Sequence, residues 1–159
     1  MNWESKFLEA FDGFPPSNPT IAISASNLID DFENLECRRI LLGKKWRDVD
    51  RQILATQGQF YLYYLTEESL CYYMPSIFLA ALENICLDFN NSVESYFVNG
   101  STVLRSALGK FSLSQLKILE LAVEQMFRTH YGDSVQNEED VGGEISRIQR
   151  MFREIMMQK

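Results

Sequence analysis

Apolar residues recur along this chain at the three- and four-residue intervals of helices, and nowhere do apolar and polar positions alternate in the sustained way that a half-buried strand requires. Trp3, Phe7, Leu8 and Phe11 form a first short stripe behind Asn2 as N-cap, ended by Gly13, Pro15 and Pro16. Beyond a turn-rich segment, Ser26 precedes Leu28, Ile29, Phe32 and Leu35. This predicts a second helix to about Leu42, with Asp30, Asp31 and Glu33 in the early turns where the helix dipole favours acids. Gly43 breaks that pattern, and Ile53, Leu54, Phe60, Leu62 and Leu65 predict a third helix from about Asp48 to Leu65.

The stretch LTEESLCYYMPSIFLAAL, from Leu65 to Leu82, compresses a helix start, a tyrosine pair, a proline and a long apolar face. Thr66 is suited to cap the first turn while Glu67 and Glu68 complement its dipole. Because proline removes a hydrogen bond inside a helix yet costs little at a helix start, a short helix to Tyr73 is expected, then a start or kink at Pro75 and a helix to about Asn90. Asn91 to Lys110 reads as less regular, with a turn at Asn99-Gly100 and one or two helical turns around Val103, Leu104, Ala107 and Leu108. Ser112 or Ser114 then caps a helix whose stripe is Leu116, Leu119, Ala122, Val123, Met126 and Phe127, stopped by Gly132. Residues 133–143 read as an exposed acidic loop, and a last helix buries Ile145, Ile148, Phe152, Ile155 and Met156 with Arg147, Arg150 and Arg153 outward. The expectation is an all-α, single-domain bundle of about six helices spanning residues 1–159.

Composition fits that expectation. The chain has 159 residues, 46% hydrophobic and 13% aromatic, enough for one buried core. Its formal charge of -7 opposes phosphate backbones and anionic lipid, so neither a nucleic acid nor a membrane is the expected partner and a basic protein is favoured. The start lacks the pattern of a leader and no run of eighteen apolar residues occurs, which points to the cytosol. Cys37, Cys71 and Cys86 form no CxxC pair and read as small buried hydrophobes of a reducing compartment.

Catalytic constellations are not spelled out. With His130 as the single histidine, a zinc site or a Cys-His pair has little to draw on, and an imidazole favoured by a helix end accounts for it. Neither Gly43-Lys44 nor Gly109-Lys110 carries the remaining residues of a phosphate-binding loop. Glu67, Glu68, Glu83 and Asp88 could pair as acid and base, but dipole compensation and solvation explain them as well. The basic stretch with Arg38, Arg39, Lys44, Lys45, Arg47 and Arg51 around Trp46 is the one nucleic-acid candidate, set against a helix end that wants cations and a tryptophan that packs. No cofactor, metal or catalytic residue is expected.

What packing does not obviously absorb is the tyrosine set, Tyr61, Tyr63, Tyr64, Tyr72 and Tyr73. Tyr61 and Tyr63 point about 200° apart on a helix, so rings must be exposed or bury against other elements. Exposed tyrosine beside acids suits protein recognition, whereas a tyrosine-rich core with hydroxyls at the rim is the plainer alternative. The candidate partner-binding residues are accordingly Tyr61, Tyr64, Tyr72, Glu67, Glu68, Asp30 and Asp31.

Leu65-Thr66-x-Glu68, Tyr72-Tyr73-x-Pro75 and Phe78-Leu79-x-Ala81-Leu82, with Trp46 upstream and Phe111, Leu113, Ser114 and Gln115 downstream, resemble the signature of a bacterial family of small domains of unassigned function. Glu67 stands where the family has proline and Ser69 where it has alanine. The resemblance implies a compact helical domain and transfers no catalytic residue. Small, acidic, helical bacterial proteins of this kind also look like immunity proteins, which neutralise a toxin by covering its active surface. The expected function is therefore non-catalytic binding of a basic toxin domain, with a homo-oligomeric structural or regulatory domain as the alternative.

Overall fold

A computed structural model describes residues 2–13, 32–57, 61–132 and 139–159. Among the described residues there are eight α-helices and no strand. They are α1 (Trp3–Phe11), α2 (Phe32–Leu41), α3 (Arg51–Gln57), α4 (Glu67–Leu82), α5 (Leu87–Asn99), α6 (Thr102–Gly109), α7 (Leu113–Tyr131) and α8 (Glu139–Met156), with single helical turns at Trp46–Asp48 and Tyr61–Tyr64. The all-α class stands; the helix count is higher than the sequence suggested.

Helix starts follow short polar side chains. Asn2 Oδ1 accepts from Ser5 N at 3.1 Å, Thr66 Oγ1 from Ser69 N at 3.3 Å and Ser101 Oγ from Leu104 N at 3.1 Å. Ser112, rather than Ser114, caps α7 in a reciprocal box: Gln115 N donates to Ser112 Oγ at 3.3 Å and Ser112 N to Gln115 Oε1 at 2.8 Å. The buried Gln115 amide also donates to Ala10 O at 3.0 Å, tying α7 to the end of α1.

Helix α4 sits at the centre, with α1, α3, α5, α6 and α7 all packed against it. Every residue from Ser69 to Ala81 is buried, so α4 has no polar face and cannot be read as an amphipathic surface helix. It runs through Pro75 as one helix, so the fresh start expected there does not occur, because surrounding helices hold the backbone helical on all sides. The break comes later, at Asn84, whose φ of 52° is left-handed and whose Oδ1 accepts from Asn90 Nδ2 at 2.6 Å. Asparagine tolerates this conformation better than residues other than glycine.

Three other expected boundaries move. The third helix ends at Gln57, and Tyr61–Tyr64 forms a separate turn against α2. The region expected to be irregular, Asn91 to Lys110, is helical except around Gly100, whose φ of 55° terminates α5. Residues 139–143 belong to α8 and not to an acidic loop, while 133–138 lie outside the described residues, as do Ser26, Leu28 and Ile29.

A run of phenylalanines crosses the core. Phe111 meets Phe11 at 5.5 Å between ring centroids, Phe11 meets Phe7 at 5.6 Å, Phe7 meets Phe78 at 6.2 Å, Phe78 meets Phe97 at 5.1 Å and Phe97 meets Phe152 at 6.4 Å. Stacked and edge contacts of this kind add to area burial and join α1, α4, α5 and α8. Two buried hydroxyls of α4 are satisfied by the chain running from the end of α2 towards α3. Tyr73 Oη donates to Leu41 O at 2.7 Å and to Lys44 O at 3.0 Å, and Ser76 Oγ donates to Trp46 O. Replacing Tyr73 by Phe removes this donor from the buried Leu41 carbonyl and from the part-buried Lys44 carbonyl. It should cost about 1–3 kcal/mol in urea denaturation and lower the melting temperature by roughly 2–12 °C, with helical content unchanged by circular dichroism.

Candidate functional site

Among the expected recognition residues whose side chains are described, Tyr72 does not lie on the surface. Tyr72 is buried at 4% exposure, its ring edge-on to Tyr73 at 4.9 Å, so it is a core residue and offers no contact area. Tyr64 is half-buried against the core; Tyr61 lies in the same turn, its side chain outside the described part. Asp30 and Asp31 lie outside the described residues. Glu67 pairs with Lys110 at 2.7 Å, joining the start of α4 to the end of α6, and the hydrogen bond from Lys110 holds its carboxyl below the usual carboxylate range. Glu68 is exposed. Glu83 pairs with Arg51 at 2.7 Å, so Glu67 and Glu83, offered as members of an acid-base pair, each have their own cation.

Among the described tyrosine side chains, the exposed ring is that of Tyr63. It is 57% exposed and packs edge-on to Tyr96 of α5 at 5.3 Å, and the chain from it leads through Tyr64 to the acids of the first turn of α4. The ring thus has an exposed face and a fixed orientation.

Three of the six cations of the basic stretch have a carboxylate partner among the described residues. Arg39 pairs with Glu36 at 2.8 Å, Arg47 with Asp12, and Arg51 with both Glu4 and Glu83 at 3.3 Å and 2.7 Å. Trp46 is buried beside α4 under the Arg47 guanidinium, which lies 5.3 Å from the ring centroid.

Two groupings were not anticipated. In the first, Glu94 of α5, 5% exposed, lies against the end of α7: His130 Nδ1 is 3.3 Å and 3.1 Å from its two carboxylate oxygens, and Tyr131 Oη donates to Oε2 at 3.4 Å. With Glu94 ionised, Nδ1 must carry the proton and donate. A carboxylate holding an imidazole in one orientation is one unit of acid-base machinery, but His130 has no hydrogen bond to a serine, threonine or cysteine among the described residues. The second is a cleft of about 280 Å³ between the α5–α6 turn and α8, carrying Arg105, Arg147 and Arg150. Arg105 donates to Glu154 at 3.1 Å and to Gly100 O at 3.3 Å.

The first grouping escapes sequence reading because it depends on the register of α5, and the second because it depends on α6 and α8 meeting across the α5–α6 turn. Once α5 is started at Leu87, Asn90 and Glu94 fall on the same face as Phe89, Val93 and Phe97, a placement that periodicity shows only if the helix is recognised. Among the described residues no three His, Cys, Asp or Glu side chains gather in a group able to hold a metal ion, and no helix is long and apolar enough to cross a membrane. Comparisons with protein-family models, with curated proteins and with solved structures find no match.

Burial pushes Glu94 above the usual carboxylate value of 4.5; the hydrogen bond and charge of His130 and the Tyr131 hydroxyl draw it back, and Glu144 adds to the rise. The folded chain therefore holds this proton to higher pH than the unfolded chain does. Its stabilising contribution is complete below the unfolded value and is lost as pH rises through the folded one. Urea titrations from about pH 4 to pH 7 should show Glu94→Gln gaining stability relative to the parent as pH rises through that window, with the steepest relative change just above the unfolded carboxylate value.

Proposed function

We propose that this chain is a non-catalytic protein-binding protein, and specifically an immunity protein that covers the active surface of a basic toxin domain in the cytosol. The observation that carries this reading is the exposed Tyr63 ring, already held by Tyr96 and close in sequence to Glu68. A tyrosine fixed before binding gives large contact area while losing little rotamer freedom, which is what distinguishes anchor residues from the neutral contacts around them. The net charge of -7 favours encounter with a cationic surface. The resemblance to the uncharacterised helical family and the free state of Cys37, Cys71 and Cys86 accord with it.

Leu35 and Leu42, seven positions apart and both exposed at the α2 end of the molecule, support the alternative of a homo-oligomer. Light scattering separates the two readings: a monomer that becomes a heterodimer with toxin favours the first, and a dimer at micromolar concentration the second. Co-expression with the products of the neighbouring genes should yield a complex with a basic toxin domain. Tyr63→Ala with Glu68→Lys should weaken that complex by roughly thirtyfold or more, the scale of a lost anchor, while the lost Tyr96 contact and the reversed charge at the start of α4 lower the melting temperature of the isolated chain by only a few degrees. Unchanged affinity in the double variant would remove this surface from consideration.

A further inference from the structure

We propose that the cleft between the α5–α6 turn and α8 binds the phosphoryl group of a small organic phosphate monoester. This goes beyond the protein-binding reading and does not depend on it. The cleft concentrates positive charge on an acidic chain: Arg105, Arg147 and Arg150 line it with Glu154 as the one acid. Arg39, Arg47, Arg51 and Arg105 each have a carboxylate partner. The side chains of Arg147 and Arg150 make neither a hydrogen bond nor an ion pair with any described residue, although they stand three positions apart on one helix, where like charges repel. An anion between them relieves that repulsion.

The chemistry of the lining selects the class of anion. Guanidinium forks match the paired oxygens of phosphate or carboxylate, and a dianion answers two uncompensated cations where a single carboxylate answers one. Arg105 is pre-set by its bonds to Glu154 and Gly100 O, so one donor group is ordered before any ligand arrives. The rest of the lining includes Val98 and Met151, apolar surface beside the charged groups, and the volume lies just under the range typical of drug-sized ligands. A phosphoryl group on a small apolar body fits that division. Glu154 works against the ligand, since it both occupies Arg105 and adds a negative charge.

The test is isothermal titration of the full chain with phenyl phosphate, with inorganic phosphate and with benzoate, at constant ionic strength. Phenyl phosphate should bind, and benzoate should bind at least about tenfold more weakly. Arg147→Gln with Arg150→Gln should cut phenyl phosphate affinity by about tenfold or more, and Glu154→Gln should raise it several-fold. Both side-chain sets are on the surface, and circular dichroism melts establish that the variants fold. Inorganic phosphate binding as tightly as phenyl phosphate would overturn the organic half of the proposal. No heat with either phosphate at millimolar concentration, or equal affinity in the double arginine variant, would overturn the site itself.

Discussion

The structure depends on burying one helix completely. From Ser69 to Ala81 helix α4 has no solvent-facing side, so each of its polar groups needs a protein partner, and leaving one unmade in that environment costs more than making it gains. Tyr73 and Ser76 find theirs in the carbonyls of Leu41, Lys44 and Trp46, which clamps the chain linking α2 to α3 onto the central helix. Pro75 deletes one bond from the ladder at a cost of roughly 3 kcal/mol in an isolated helix. Here the helices packed around α4 supply the burial that offsets it, and for the same reason the proline leaves the helix unbroken.

This explains which elements were legible. Helices that bury one stripe, such as α1, α7 and α8, display their period in the sequence, and Phe7, Phe11, Leu116, Leu119, Ile148 and Phe152 fall inside where their spacing puts them. Asn2, Thr66 and Ser112 announce helix starts because capping is a local interaction. A helix buried all round has no stripe to read, so α4 was divided at its proline. Beyond Asn90 helix α5 is hidden for the opposite reason: its buried face includes Asn90 and Glu94, and the polar residues between Asn90 and Ser95 mask Val93 and Phe97. Tyrosine shows the same limit. Tyr72 and Tyr63 are indistinguishable in composition, and only the packing of α4 and the turn before it sends one ring inward and the other outward.

Charge is a second case of long-range arrangement. An acidic total predicts the field far from the molecule, but not which cations remain uncompensated close to it. Arg51 reaches Glu4 and Glu83 across α1, α3 and the end of α4, and Lys110 reaches Glu67 between α6 and α4. These pairs are largely solvent-exposed and contribute little to stability individually. Their effect is on distribution: Arg51, like Arg39 and Arg47, is compensated inside the basic stretch that looked like a nucleic-acid footprint, while the side chains of Arg147 and Arg150, unremarkable as outward residues of a last helix, line a cleft without such a pair among the described residues.

Helix α5 is where the candidate features meet. Glu94 contacts His130, Tyr96 supports Tyr63, and Phe97 through Gly100 form one wall of the arginine cleft, so three different surfaces are positioned by successive residues of one element. Phe97 is fixed between Phe78 of α4 and Phe152 of α8, which ties that element to the buried centre. A ring packed at interior density has little freedom to adjust, and the backbone that carries it is correspondingly restrained. The cleft wall and the support beneath Tyr63 are therefore set by folding, not by a ligand. Whatever binds at either place meets a surface whose ordering cost was met when the core closed around α4.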